Sequence, residues 1–178
     1  MRWMSHTLQY VQILRMIIMI KLILFDLDGV LIKTKDIHYE ALNMALGETY
    51  AISMEEHLGR YDGLPTKTKL EMLSDEKGLK QEDHEIIWKQ KQENTVVLLK
   101  ENLSPDIKLL RLFSELRAQG YKLGCCSNSI RRTVLTALSK IGLIEYFDIL
   151  ISTDDVRNNK PHPEMYWKAM SAMHCLPD

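Results

Sequence analysis

Cysteine is scarce in this chain: 178 residues contain three, Cys125, Cys126 and Cys175. An adjacent pair with one distant partner offers no disulfide framework and matches no zinc-ligand spacing. Cys125 and Cys126 fall in an apolar run, where successive strand residues point to opposite faces. They read as buried, inert thiols of a reducing compartment. Charge of one sign is not in excess either. Lys and Arg number 23, Asp and Glu 24, and the net charge is −1, so there is no electrostatic case for nucleic-acid binding. Long unbroken apolar runs are missing. Val11–Ile20 is interrupted by Arg15 and closed by Lys21, which is short of the roughly 20 apolar residues a spanning helix needs. No small-residue cleavage site follows it. Residues 1–18 are therefore expected to be an extraneous leader, with Met19 as the natural start. There is no internal repeat and no low-complexity tract. A cytoplasmic monomer that engages neither membrane nor nucleic acid is expected.

What the chain has is enough apolar material for a core. Hydrophobic residues make up 46%, and the length suits one medium domain, or a core with a small inserted one. Leu22–Phe25 reads as a buried strand. Tyr121–Cys126 reads as a second and Tyr146–Ile151 as a third. Between the first two, residues 34–100 carry helical periodicity and no strand signal. One amphipathic helix there should end at Gly47. Ser53 with Glu56 forms a possible capping box. Pro65 suits the first turn of the next helix, with Gly78 as its stop, and a long helix follows through Ile86–Leu99. Beyond 100, Pro105 suits a helix start and Gly120 its end. A further helix covers about Ile130 to Ile141 with Gly142 after it, and Pro163 opens the last. Strands separated by helices imply a parallel sheet with crossover helices.

The chemistry gathers where the strands end. Asp26-Leu27-Asp28-Gly29-Val30 follows the first strand. Residues two apart share a strand face, so Asp26 and Asp28 should project together, and Gly29 permits the turn after them. Two adjacent carboxylates repel one another. A hard divalent cation such as Mg²⁺ would offset that, leaving one carboxylate to attack and the other to move protons. A plain turn after a strand accounts for the same residues. Ser127-Asn128-Ser129 ends the second strand, and Lys160-Pro161-His162-Pro163-Glu164 follows the third. In parallel sheets ligands bind beyond the carboxyl ends of the strands. Asp26, Asp28, Ser127, Asn128 and Lys160 would meet there, a set suited to attack on a phosphoryl group.

With those three motifs in order, the chain resembles the haloacid dehalogenase-like hydrolases, in the helical-cap branch of beta-phosphoglucomutase and phosphoglycolate phosphatase. The resemblance runs from about Met19 to Asp178. It implies an α/β fold: a Rossmann-like core from residues 19–33 and 101–178, with residues 34–100 as a helical cap. It implies that Asp26 is a nucleophile and Asp28 a general acid/base, and that both lie at a Mg²⁺ site. Ser127, with Asn128, would bind the phosphoryl group and Lys160 would steady its charge. His38, early in the cap, and Lys67, after Gly63-Leu64-Pro65-Thr66, are candidate substrate contacts. Lys91 is a second cap lysine with that reach. Lys33 stands where the family often has an acid. The family's fourth motif, an acidic pair after another strand, would come shortly after Leu176-Pro177-Asp178, so the resemblance implies a core without its last strand or strands. Asp154 and Asp155 precede the lysine motif and read as loop or helix-start acids. The implied activity is Mg²⁺-dependent hydrolysis of a small phosphorylated metabolite through an aspartyl-phosphate. A sugar-phosphate mutase and a non-catalytic or degenerate fragment are the alternatives.

Overall fold

The structure is a computed structural model and describes residues 20–175. The expected leader, residues 1–18, lies outside the described residues, as do Leu176-Pro177-Asp178.

Three parallel strands form the sheet, in the order β1 (Leu22–Phe25), β2 (Lys122–Cys126), β3 (Ile149–Ile151). Leu22 pairs with Lys122 and Phe25 with Cys125; Gly124 pairs with Ile149 and Cys126 with Ile151. The first two strands match their sequence patterns. The third is shorter than its apolar run, because residues Ile144–Tyr146 form a 3-10 turn. Tyr146 and Phe147 turn their rings onto Phe113, with centroids 6.2 and 5.2 Å away, instead of extending the ladder. Asp148 joins this corner to β2: its amide donates to the Leu123 carbonyl, and its carboxylate accepts from the Leu123 amide, each at 2.8 Å.

Among the described residues there are six main helices: α1 (Lys35–Tyr50), α2 (Thr66–Lys77), α3 (His84–Asn102), α4 (Ile107–Ala118), α5 (Arg131–Lys140) and α6 (Glu164–Ala172). One face of the sheet packs Leu123 and Cys125 against Phe113 of α4 and Val134, Ala137 and Leu138 of α5. The other packs Cys126 and Ile151 against Met165 and Ala169 of α6. The two cysteines therefore point to opposite faces, and burial pushes the Cys125 thiol up to about 12 and that of Cys126 to about 11. Thiols this far from ionising are inert at neutral pH.

Residues 35–102 build a separate apolar cluster from Leu42, Leu46, Ile52, Tyr61, Leu70, Leu73, Leu79 and Ile87. Gly47, expected to end its helix, adopts φ 66°, ψ −179° and breaks it, but helical turns resume as far as Tyr50. The Asn43 side chain clasps the Ile52 backbone through two hydrogen bonds of 2.9 Å, which folds the chain back after α1. The Ser53–Glu56 capping box forms. It leads into a π-helical turn, His57–Tyr61, a geometry frequent at functional sites. Gly78 ends α2 in the left-handed conformation. Two helices link this cluster to the core. Ile37 and Ala41 of α1, and Leu98 and Leu99 of α3, belong to the core cluster, whereas Leu42 and Ile87 of the same helices belong to the cap.

Candidate active site

Leu27 is the anchor of the first motif. It is fully buried, and its carbonyl accepts from the amides of Val30, Leu31 and Ile32. That knot, with Gly29 at φ 79°, leaves the residues on either side of Leu27 at the sheet edge. Asp26 Oδ1 accepts from its neighbour's amide and from Lys160 Nζ, both at 2.7 Å. Oδ2 has no protein donor among the described residues. Lys160 Nζ also donates to the Cys126 carbonyl at the end of β2, at 3.0 Å. Its main chain is held by Asn128: the Lys160 amide donates to Oδ1 at 2.9 Å, and Nδ2 donates to the Lys160 carbonyl at 3.0 Å. The lysine thus arrives at Asp26 on a loop clamped from a neighbouring strand end.

Asp28 is the most heavily engaged side chain of the site. Oδ1 accepts from Thr34 Oγ1 at 2.6 Å and from His38 Nε2 at 3.1 Å. Oδ2 accepts from Ser129 Oγ at 3.0 Å and Ser127 Oγ at 3.4 Å. Burial opposes ionisation of this carboxyl, but the imidazole and the hydroxyls of Thr34 and Ser129 outweigh it and hold its pKa well below the usual carboxylate range. Ser127 is itself buried; its amide donates to the Ile151 carbonyl, which places it on the continuation of β2. On the far side of His38, Lys91 Nζ approaches Nδ1 at 3.4 Å. An ammonium has no lone pair to offer, so Nδ1 is the acceptor and Nε2 carries the hydrogen toward Asp28. Burial and Lys91 both disfavour the imidazolium, against the pull of Asp28, and the His38 pKa falls.

The five residues expected at the strand ends do converge, and His38 joins them. Lys67 does not: it is exposed on α2 and has no polar partner among the described residues. Lys69, two residues on, is buried at 7% exposure, and Lys91 at 8%. The sequence reading missed Thr34, Ser129 and Lys69. Ser129 carried a signal, since it repeats the position of Ser127 two residues later. Thr34 and Lys69 carried none, because their importance rests on packing between α1, α2 and α3. Lys33 is exposed. Asp154 and Asp155 act as helix-start acids. Asp154 accepts from the Arg131 amide at 2.9 Å, and Asp155 closes a capping box with Ser152 and pairs with the Arg131 guanidinium at 2.6 Å.

The donor set for a cation is partial. No cluster of three or more His, Cys, Asp or Glu side chains that would hold a metal occurs among the described residues. The free Oδ2 of Asp26 is a hard oxygen of the kind Mg²⁺ takes. Both carboxylate oxygens of Asp28 are occupied by hydroxyl and imidazole donors, which leaves its main-chain carbonyl as the oxygen it could offer a cation.

The family model for haloacid dehalogenase-like hydrolases matches residues 23–178. A phosphorylated carbohydrates phosphatase of Thermotoga maritima is 29% identical over 164 residues, covering 88% of this chain and 72% of that protein. The pyrophosphatase PpaX of Halalkalibacterium halodurans is 31% identical, over 86% of this chain and 69% of its own length. Among solved structures, CbbY of Rhodobacter sphaeroides in complex with phosphate superposes with a TM-score of 0.77 at 24% identity, over 88% of this chain and 73% of that one. A beta-phosphoglucomutase of Clostridium difficile gives 0.68 at 23%, over 88% and 72%. These two likenesses speak for the fold. The chain belongs to the haloacid dehalogenase-like hydrolases, as an enzyme of the phosphatase and hydrolase kind.

Proposed function

We propose that the protein is a Mg²⁺-dependent phosphatase of a small phosphorylated metabolite, acting through an aspartyl-phosphate at Asp26. The observation that carries this reading is the division of labour between two neighbouring carboxylates. Asp26 keeps one oxygen free and has its other held by Lys160, whereas Asp28 is fully hydrogen-bonded beside it. Free Oδ2 attacks phosphorus in line, and the bond from phosphorus to the leaving oxygen breaks. Asp28 gives that oxygen a proton. That proton is taken up from solvent as substrate binds: the resting carboxyl is ionised, and the incoming phosphate dianion favours its protonated form. Water then attacks the acyl phosphate, Asp28 takes its proton, and inorganic phosphate leaves with Asp26 regenerated. Ser127, the Asn128-clamped loop and Lys160 supply donors and positive charge to the phosphoryl oxygens, whose charge must be held in the transition state. The Asp26 carboxylate oxygen not used in the attack and the Asp28 carbonyl would hold Mg²⁺, which would supply further charge neutralisation.

The names of the two similar proteins support a phosphorylated substrate, and the balanced charge of the sequence gives no reason to make it a nucleic acid. A cytoplasmic setting fits the inert thiols. A mutase is the second reading, favoured by one observation: Lys91 fixes His38 in the tautomer that donates to Asp28, which would suit proton traffic with a sugar hydroxyl. One assay separates these. Phosphate release from p-nitrophenyl phosphate and a panel of sugar phosphates should require Mg²⁺, stop with a chelator, and fall at least 1,000-fold, about 4 kcal/mol, in Asp26→Asn. Undiminished turnover by that variant removes Asp26 from the mechanism. Isomerisation of beta-glucose 1-phosphate without phosphate release selects the mutase.

A further inference from the structure

The loop that carries Lys160 has no strand or helix of its own. Residues 156–163 run between the 3-10 turn Thr153–Asp155 and the start of α6 and join no ladder. A lysine on such a loop meets Asp26 at 2.7 Å only if other groups fix the main chain beneath it. Asn128 fixes one side, through the Lys160 amide and carbonyl. Glu164, in the first turn of α6, fixes the other. Its Oε1 accepts from the Arg157 amide at 2.8 Å, and its Oε2 accepts from the Asn158 amide and from Asn158 Nδ2, each at 2.9 Å. The turn between them is closed by the His162 amide, which donates to the Asn159 carbonyl at 3.0 Å, and by the Glu164 amide, which donates to His162 Nδ1 at 3.3 Å. Each residue from Arg157 to Lys160 is thus held by a main-chain hydrogen bond, to Glu164, His162 or Asn128.

An acid in the first turn of a helix is common, because it meets the positive end of the helix dipole. That explanation does not cover Glu164. Among the described residues its carboxylate accepts from no amide of α6; all three donors belong to Arg157 and Asn158, upstream in the loop. Those donors, the Arg157 amide foremost, lower its pKa, so the charged form is the one that holds the loop. Hydrogen bonds to an ionised acceptor are roughly twice as strong as neutral ones, which suits an exposed segment with no ladder to bind it. Glu164 has no hydrogen bond to Asp26, Asp28 or Lys160 itself. We propose that Glu164 is a positioning residue for Lys160: its carboxylate sets the course of residues 157–160 and so delivers the ammonium to Asp26 and to the Cys126 carbonyl. This rests on the reading of Lys160 as the cation that steadies the phosphoryl group, and it adds the residue on which the place of that charge depends.

Two measurements on the whole protein test this. The first is competitive acetylation with acetic anhydride, read lysine by lysine by peptide mass spectrometry. Lys160 is enclosed, with its side chain 15% exposed, and should label slowly in the unmodified protein. Glu164→Ala should speed its labelling about 5-fold or more, as the loop opens locally. Lys122 is the control, because its ammonium donates to the Met173 carbonyl just past the end of α6, at 2.9 Å. A substitution that merely loosened α6 would speed both lysines. Glu164→Gln keeps one acceptor but turns an amide NH₂ toward the Asn158 donors; it should speed Lys160 by a smaller factor, and it serves if Glu164→Ala does not fold. The second measurement is a double-mutant cycle on kcat/KM for p-nitrophenyl phosphate with Mg²⁺. The Glu164 variant should lose roughly 10-fold by misplacing the charge, and combining it with Lys160→Ala should lose no more than Lys160→Ala alone. Lys160 labelling that neither substitution changes, or that rises in step with Lys122, overturns the proposal, as do additive losses in the cycle. If the unmodified protein leaves p-nitrophenyl phosphate unhydrolysed, the phosphatase reading falls instead, and the labelling ratio still decides the role of Glu164.

Discussion

Asn128 shows how a side chain that touches no reacting atom governs one that does. Its amide makes both main-chain hydrogen bonds that hold Lys160, and Lys160 carries the ammonium that meets Asp26. Asn128→Ala should therefore lower kcat/KM by roughly 10- to 100-fold through misplacement of a charge. Because the clamp lies at the surface, the melting temperature should fall only a little. Steady-state kinetics beside a thermal melt checks this; a large melting shift with little kinetic loss would make Asn128 structural. The same residues show what sequence can reveal. Asp26, Asp28, Ser127 and Lys160 stood out because each follows an apolar strand, and position at a strand end is visible in a one-dimensional pattern. Thr34 and Lys69 did not. A threonine ahead of a helix and a lysine within one are ordinary, and only the approach of three helices turns them inward. Lys67 and Lys69 are two residues apart on α2, about 200° around the helix, so choosing the wrong one amounts to choosing the opposite face.

Among the elements, β2 and α3 bear the sharpest constraints. Gly124 sits in the middle of β2, between both neighbouring strands. A Cβ there would lie 2.5 Å from Leu24 Cδ2 and 2.9 Å from Ile149 Cγ2. Gly124→Ala should cost about 1–3 kcal/mol through overpacking, measured by urea unfolding. An unchanged midpoint would mean that Leu24 and Ile149 rotate away freely. On α3, Lys91 has its pKa lowered from 10.5 to about 8, first by burial and then by Lys69, with Asp28 opposing. Between those values the unfolded chain binds more protons than the folded one, so stability should rise as pH is raised from about 8 to about 10.5. Below pH 8 the penalty is present in full, on the order of 3 kcal/mol, since each tenfold weakening of proton affinity corresponds to roughly 1.4 kcal/mol. Lys91→Met should thus stabilise the protein at pH 7 and flatten the rise. A variant no more stable than its parent would show that the ammonium is better solvated than its burial suggests. Most element limits were legible: the left-handed Gly78, the Ser53 capping box and the short β1 all carry local chemistry that fixes them. The truncated β3 was not. Its apolar run was real, but the rings of Tyr146 and Phe147 were spent on Phe113, a tertiary contact that periodicity cannot register.

At the scale of the whole molecule, the parallel order and the site at the carboxyl edge followed from alternating strands and helices, because that topology has few realisations. The charge balance of the cap interior did not follow, since it depends on which lysines are enclosed. α3 joins these two levels. It runs 19 residues, about 28 Å, from Ile87 in the cap cluster to Leu98 and Leu99 in the core, with Lys91 between. A continuous helix planted in two hydrophobic clusters makes poor provision for independent melting. A ligand at the candidate active site, which Lys91 borders through His38, should then be felt as slower amide exchange along the entire rod. On addition of inorganic phosphate, deuterium uptake should fall at Leu98 and Leu99 together with Ile87, as one cooperative block. Slowing confined to the cap end would show instead that the rod is jointed, and that the two clusters keep separate clocks.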